Sequence, residues 1–141
     1  MIFVDRQKEL AEYISKVTGG TYSTDTGQFI GLERNGKIAA CVACTDCNGS
    51  SAQLHIGASD RLNVDFLCFC FEYVFYQLKL KRLATVVDSK NIKSLKFSAN
   101  CGFQTDHIIK DAGVDGDLHI LTMYPYQCKL LNKYRKTSNL V

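Results

Sequence analysis

The stretch DSKNIKSLKFSANCGF, residues 88–103, decides the fold of this chain. It follows the β-branched run of residues 83–87, which predicts a buried strand. An Asn stands at position 91, a small Ser three residues later and an apolar Phe six residues later, and Gly102-Phe103 follow at eleven and twelve. This pattern predicts a short helix over residues 91–100 that ends at Gly102, where positive φ costs glycine little.

The sequence before this stretch predicts a strand followed by a long helix. Residues 52–57 have the composition of a strand, and residues 63–78 are apolar almost all round, which is typical of a helix covered on several sides. Asn63 can cap that helix, and Asp65 lies in its first turn, where the helix dipole favours a carboxylate. The loop of residues 57–63 therefore precedes a helix N-terminus, a place that can bind phosphate, although this segment taken alone favours a plain strand-to-helix turn.

The two ends of the chain add a helix and antiparallel strands. The spacing of Leu10, Tyr13, Ile14 and Val17 predicts a helix that ends at residues 19–20. Strand-like runs at residues 28–33 and 38–44 flank Asn35-Gly36 and predict a tight hairpin. Later, residues 103–109 and 118–124 predict a second hairpin around a polar turn, and residues 126–134 a final helix.

Strands that alternate with helices in the middle imply a parallel pair, and the hairpins on either side imply antiparallel partners. The prediction is therefore a mixed α/β, α+β layered fold, and the length fits one domain over residues 1–141.

The Asn91 to Phe103 spacing, with the preceding helix and strand at the usual distance, resembles the acetyl-CoA motif of the GNAT N-acetyltransferase superfamily. The resemblance extends over about residues 53–131 and is strongest to small GNAT proteins encoded by tailed bacteriophages, which share the Leu-His-Ile strand, the Phe-rich helix and the Asp-Gly-Asp-Leu hairpin of residues 115–118. It implies the GNAT fold, a mostly antiparallel sheet with a central splayed parallel strand pair flanked by helices. It further implies acetyl-CoA as cofactor, a primary amine as acceptor, and pairing of two copies through the carboxy-terminal hairpin.

The resemblance assigns site residues on both sides of the splayed pair. The backbone of Leu54, His55 and Ile56 would pair with the pantetheine arm. The pyrophosphate would be held by Arg61, Asn63 and the amides of Val64 and Asp65. The thioester end and the opposite wall would be met by Asn91, Ser94 and Phe97.

Two departures from the family's pattern keep a second interpretation open. No glycine follows Gly57 in the phosphate loop, and Ser98 occupies the catalytic position where the family often has a tyrosine acid. A serine hydroxyl has too high a pKa to serve as such an acid, so water or another group would have to do so. The alternative is a catalytically inactive GNAT-fold binding or structural protein of phage origin.

Candidates for the base that deprotonates the amine are the ionisable side chains on the strands. His55 is the first, from its position on the splayed strand, and Glu33 the second. His107 and His119 lie on the late hairpin and could line the acceptor side.

The composition argues against several other classes of protein. The net charge of +3 and the scattered lysines fall short of the basic stripe of a nucleic-acid binder. No apolar run reaches the roughly 18 residues of a membrane span, and the first residues are charged too early for a secretory signal, so we expect a cytoplasmic protein, in the host cytoplasm if phage-encoded. Cys41, Cys44 and Cys47 could suggest a metal clip, but a strand would turn neighbouring members of this set to opposite faces, so we expect no metal site.

Overall fold

The computed structural model describes residues 1–131, and its sheet contains the predicted tight hairpin. Strand β1 (Ile2–Phe3) pairs with β2 (Gly27–Arg34), which turns into β3 (Lys37–Thr45) and continues into β4 (Ser51–Ala58). Asn35 and Gly36 have φ values of 53° and 76°, so both central residues of the turn are left-handed, as the Asn-Gly pair predicts. The two-residue β1 was not predicted, because so short a strand carries no periodic signal.

The remaining strands are β5 (Arg82–Asp88), β6 (Gln104–Ile109) and β7 (Leu118–Met123), and they complete a seven-stranded sheet in the order β1-β2-β3-β4-β5-β7-β6. Strand β5 is parallel to β4 and antiparallel to β7, and β6 forms the edge. The predicted mixed, mostly antiparallel sheet with one parallel pair is confirmed.

The helices cover both faces of the sheet. Helix α1 (Gln7–Thr18) ends at Gly19 in the left-handed conformation, as predicted, and buries Leu10 and Ile14 against one face. Helix α2 (Val64–Glu72) and helix α3 (Ile92–Cys101) contribute to the larger cluster, which includes Val42 on the opposite face. The predicted flanking of the sheet by helices is thus confirmed. No helix within residues 1–131 is long and apolar enough to cross a bilayer.

The long helix predicted from Asn63 begins as expected but does not stay regular. Asn63 caps it by accepting a hydrogen bond from the amide of Phe66 at 2.7 Å. After Glu72 the backbone widens into a π-helical turn, Tyr73–Gln77, in which the Leu78 amide bonds to the Tyr73 carbonyl. Val74 and Phe75 of this turn are buried in the larger cluster.

The predicted final helix over residues 126–134 is wrong at its start. Pro125–Gln127 form a 3₁₀ turn, which the Gln127 side chain caps by accepting a hydrogen bond from the Tyr124 amide at 2.8 Å. Cys128 is extended, and helical backbone appears only at residues 129–131. The remainder of the predicted helix lies outside the described residues.

The cysteines of the apparent metal clip lie as strand alternation requires. Cys41 packs in the cluster under α1, Cys44 packs in the cluster on the other face, and Cys47 is exposed beyond the strand. Burial raises the pKa of the Cys41 and Cys44 thiols to about 12. Both are therefore uncharged packing groups at neutral pH.

Candidate functional site

The two parallel strands at the centre of the sheet separate after three residue pairs. The β4–β5 ladder begins at Ser51 with Arg82 and ends at Gln53 with Ala84. Beyond that point β4 continues to Ala58 against β3 alone, and β5 continues to Asp88 against β7 alone. The predicted splay is confirmed. Within the described chain, the facing edges of the two strands form no further ladder with each other, so peptide groups are available on both sides of the gap.

A cavity of about 390 Å³ occupies this gap. The structure brings together there seven of the residues that the sequence singled out, three from β4 and four from the start and length of α3: Leu54, His55, Ile56, Asn91, Ser94, Phe97 and Ser98. They meet because β4 and α3 border the gap from opposite sides.

The cavity also reaches through the sheet to the α1 face. His55 pairs with Ala43, and both residues lie on the side that α1 covers, where Thr18 and Tyr22 line the cavity. Leu54 points the other way, into the cluster formed with α2. The gap between the strands therefore gives access to His55 from one face and to α3 from the other.

His55 is the titratable side chain at the point where the strands part. Its Nε2 lies 3.0 Å from the Thr45 hydroxyl, and its ring meets the edge of Tyr22 at a centroid distance of 5.3 Å. Burial lowers the pKa of His55, and the nearby charge of Asp46 offsets part of that effect. The imidazole is accordingly neutral at pH 7, the state in which a histidine can accept a proton.

Asn91 and Ser98 mark the two ends of the α3 wall. The Asn91 side-chain oxygen caps the helix by accepting from the Ser94 amide at 3.2 Å, so the side-chain nitrogen is not used in the cap. Ser98 is 8% exposed, and its backbone carbonyl accepts from the Gly102 and Phe103 amides. A buried serine hydroxyl on this wall can donate a hydrogen bond but is not an acid near neutral pH.

The loop before α3 is held by the later polar turn. Asp88, which lines the cavity, accepts from the amides of Lys90 and Asp115, and these hydrogen bonds, the Lys90 one first, lower the pKa of Asp88. Ser89 and Asp117 exchange two further hydrogen bonds of 2.8 and 3.0 Å. The start of α3 is thus positioned by residues far along the chain.

A second hollow, of about 690 Å³, continues from the cavity past Ile56, Ser94 and Phe97. Arg61 and Lys93 give it positive charge, whereas Asp60 gives it negative charge. The Asp60 carboxylate accepts from the Arg61 amide at 2.8 Å and pairs with Arg34 at 3.3 Å. The hydrogen bond from the Arg61 amide lowers the pKa of Asp60, and the charge of Arg34 lowers it further.

The other predicted phosphate contacts lie at the N-terminus of α2. Asn63 uses its side-chain oxygen as the helix cap, and Val64 and Asp65 form the exposed first turn. These three residues do not line the two hollows described above. They border the approach to the hollow that contains Arg61, since the loop of residues 58–62 leads directly into them.

Three other candidate side chains lie elsewhere. Glu33 forms an ion pair with Arg6, which fixes it beside the first strand pair. His107 is exposed on the edge strand β6. His119 of β7 pairs with Val87 of β5 and does not line the cavity. Of the base candidates, only His55 therefore lies in this cavity.

Tyr22 and Thr18 are cavity residues that the sequence did not indicate. Tyr22 lies in the loop after α1 and Thr18 in its last turn, and both are brought to His55 by the packing of α1 on β3 and β4. No local pattern marks either residue. A sequence signal for such contacts exists only if the packing of α1 is already known.

We compared the chain with known families, curated sequences and solved structures. No family model and no curated protein sequence matches the chain. Among solved structures, spermidine/spermine N-acetyltransferase SpeG from Vibrio cholerae, in complex with manganese ions, superposes with a TM-score of 0.75 at 14% identity, over 94% of this chain and 95% of that one.

Two further solved structures share the architecture. An acetyltransferase of the GNAT family from Streptococcus pneumoniae gives a TM-score of 0.67 at 16% identity, over 88% and 98% of the two chains. Campylobacter jejuni N-acetyltransferase PseH, in complex with acetyl coenzyme A, gives 0.58 at 16%, over 83% and 78%. The fold of this chain is the GNAT fold.

Proposed function

We propose that this protein is an N-acetyltransferase that moves an acetyl group from acetyl-CoA to a primary amine by direct attack in a ternary complex. The observation that carries the proposal is the cavity of about 390 Å³ between β4 and β5, which is open to peptide groups on both strands and is lined by His55. The neighbours of this fold include N-acetyltransferases, one of them in complex with acetyl coenzyme A.

The residues around the gap fit an extended thioester cofactor. The unpaired edge of Leu54, His55 and Ile56 offers main-chain hydrogen bonds in strand register, which suit the amides of a pantetheine arm. Asn91, Ser94 and Phe97 close the opposite side, partly polar and partly apolar. When bound, acetyl-CoA supplies the activated acetyl group and a thiolate leaving group.

The phosphate end fits less well than the thioester end. Arg61 and the exposed amides of Val64 and Asp65 at the helix N-terminus favour an anion. Asp60 opposes it, because its carboxylate occupies the Arg61 amide and carries negative charge into the same hollow. We propose weak binding of the pyrophosphate, held by Arg61, Asn63, Val64 and Asp65.

The catalytic roles follow from the two faces of the gap. The amine enters from the α1 face past Thr18 and Tyr22 and loses a proton to His55. Main-chain amides along the open edge of β4 can face the acetyl oxygen, where negative charge develops. Ser98 can donate a hydrogen bond to the departing sulfur. The proton that the CoA thiolate takes up comes from water rather than from the serine.

The same observations support one alternative, a catalytically inactive GNAT-fold protein that binds a ligand. The absence of glycine after Gly57 in the loop of residues 58–63, the serine at position 98 and the self-occupied Arg61 amide favour it. Turnover separates the two functions, since an inactive relative releases no CoA.

The test combines binding and turnover. Calorimetric titration with acetyl-CoA and with CoA measures the cofactor site, and a thiol assay measures CoA release with a panel of amines that contains spermidine, an amino sugar and a lysine peptide. We expect saturable binding and CoA release with at least one amine. Binding without release supports the inactive alternative, and the absence of both heat and a thermal shift contradicts either cofactor-dependent function.

Replacement of Asp60 by asparagine is expected to tighten CoA binding about two- to fivefold at low salt, because one exposed negative charge is removed beside the phosphates. Calorimetry at low and high salt measures the effect, which should shrink as salt screens the charge. The matched control is Asp106→Asn, which removes an equally arginine-paired, exposed carboxylate on β6. Equal affinities for the wild type and Asp60→Asn at low salt would place the phosphates elsewhere.

On the resemblance of the motif, we also propose the finer features of this protein. Residues 1–141 would form a single domain, and the origin would be a phage or prophage, with the protein acting in the cytoplasm of the host. Two copies would pair through the carboxy-terminal hairpin. The sequence contains no motif that identifies the amine substrate, and the structure indicates only where it would enter, past Thr18 and Tyr22.

A further inference from the structure

His55 has a neighbour whose position follows from sheet geometry. On β3, Thr45 pairs with Gln53 of β4, and His55 lies two residues farther along β4. Side chains two residues apart share a face, so Thr45 and His55 are diagonal neighbours, close enough for long side chains to touch. The Thr45 hydroxyl and the His55 Nε2 lie 3.0 Å apart.

The imidazole is held on several sides. Ala43 lies directly opposite His55 and is small enough for the ring to lean toward Thr45. Tyr22 meets the ring edge-on, with an interplanar angle of 74°. Thr45 is 8% exposed, so its hydroxyl is shielded from the water that would otherwise compete for the ring nitrogen. Within residues 1–131 the ring makes this one hydrogen bond, and Nδ1 has no hydrogen-bond partner there.

We infer that Thr45 is a positioning residue for the reaction: its hydroxyl accepts the hydrogen bond from the His55 Nε2–H, so that Nδ1 carries the lone pair and faces the amine. The inference rests on the proposed function, since it assigns one nitrogen of the proposed base. The opposite arrangement, with the hydroxyl donating to Nε2, would put the proton on Nδ1 and leave no lone pair to accept a proton from the substrate.

With this tautomer, every proton and electron pair of the acetyl transfer is accounted for. The amine lone pair forms the N–C bond to the acetyl carbon, the C–S bond breaks, and its electron pair leaves on sulfur. The amine proton passes to Nδ1, and the resulting imidazolium still donates its Nε2–H to Thr45. The imidazolium then returns the proton through water to the thiolate or to solvent.

No other group near the His55 ring is placed to fix its tautomer in the described residues. Asp46, the residue after Thr45, acts on the ring through its charge, and Asp88 lines the same cavity from β5. Tyr22 touches the ring by its edge. Only Thr45 is within hydrogen-bond distance of a ring nitrogen in the described chain.

The direct test is long-range ¹H–¹⁵N NMR of the imidazole nitrogens at a pH above the titration of His55. The chain has three histidines, and His55→Gln identifies the signals of His55 by their loss. We expect the Nε2–H tautomer in the wild type and in Thr45→Ser, and a mixture of tautomers in Thr45→Val. An Nδ1–H tautomer in the wild type, or an unchanged tautomer in Thr45→Val, overturns the inference.

Kinetics provide the second readout. Thr45→Val should lower kcat about three- to tenfold, the range for loss of one ordinary hydrogen bond, with KM for acetyl-CoA little changed, and Thr45→Ser should restore the rate. The acidic limb of kcat/KM should move to lower pH, because a lost acceptor destabilises the imidazolium. A limb that moves to higher pH means that the hydroxyl donates, and overturns the inference. Thr122→Val, at a buried threonine on β7, is the matched control and should behave as wild type.

The two failures are distinguishable. If the wild type binds no acetyl-CoA and acetylates no amine, the proposed function fails, and the NMR experiment still decides whether Thr45 sets the tautomer. If the wild type turns over and Thr45→Val matches it in rate, pH profile and tautomer, the proposed function stands and Thr45 has no positioning role.

Discussion

Replacement of His55 by glutamine is expected to lower kcat/KM for acetyl transfer about 10²- to 10⁴-fold, the usual contribution of a positioned general base. Glutamine retains a polar side chain of similar length but cannot accept a proton at neutral pH. Since His55 is half-buried and held by Thr45, the substitution should leave the fold and the affinity for acetyl-CoA nearly unchanged. Steady-state rates from CoA release measure the loss, and calorimetry measures the affinity.

His107→Gln is the matched control, because His107 is exposed on the edge strand β6 and lies outside the cavity. Its kcat/KM should stay within about twofold of the wild type. Wild-type activity in His55→Gln would assign the proton transfer to another group or to water, and would remove His55 from the mechanism.

The pH profile of the wild type should carry the same information. Burial lowers the pKa of His55 from the ordinary value of 6.5, so the neutral, proton-accepting form persists to lower pH. The acidic limb of kcat/KM assigned to His55 should therefore lie below 6.5, and it should be missing in His55→Gln. The limb must be measured with an amine whose own pKa is known, because the protonated amine also fails to react.

The second large effect is on stability: Gly102→Ala should lower the free energy of unfolding by about 3–5 kcal/mol. Gly102 ends α3 with a φ of 120°, a conformation that L side chains rarely adopt. A Cβ at this position would lie 2.0 Å from the backbone carbonyl oxygen of Gln127. Backbone cannot rotate away as a side chain can, so the 3₁₀ turn or α3 must move. Urea denaturation measures the change.

Gly36→Ala separates the cost of positive φ from the cost of the steric clash with the Gln127 carbonyl. Gly36 also has positive φ, 76°, but a Cβ there meets no atom within 4 Å. The control should cost only about 1 kcal/mol, the conformational part alone. Equal losses in Gly36→Ala and Gly102→Ala would show that the close approach of Gln127 to Gly102 contributes nothing to stability.

Much of the sheet could be predicted because its signals are local. Asn35-Gly36 predicts its turn through the conformations that these two residues tolerate, and Asn63 predicts its helix start through the oxygen that reaches the Phe66 amide. The π turn after Glu72 could not be predicted, since no local pattern marks it; its Val74 and Phe75 are buried in a cluster with strand residues that lie far away in sequence.

The candidate site divides in the same way. Asn91 could be singled out because its spacing to Gly102-Phe103 resembles the GNAT motif, and His55 because of its position on the strand that this resemblance splays. Tyr22 and Asp60 could not, because their importance lies in what they touch: Tyr22 meets His55 through the packing of α1, and Asp60 takes up the Arg61 amide. The proton-accepting state of His55 likewise depends on burial, which sequence spacing does not give.

The sequence by itself determined most of the order of helices and strands, the hairpin turns, the helix caps and the presence of a parallel pair, since each follows from backbone preferences and alternation over a few neighbouring residues. The splay of that pair was predicted only from the resemblance to the GNAT motif. Only the tertiary structure decided that the gap opens on both faces of the sheet, that Tyr22 and Thr45 enclose the His55 ring, and that Asp60 lies in the hollow beside Arg61. The physical reason is that contacts between distant segments depend on how whole elements pack, and that packing is a property of the assembled core rather than of any one stretch of chain.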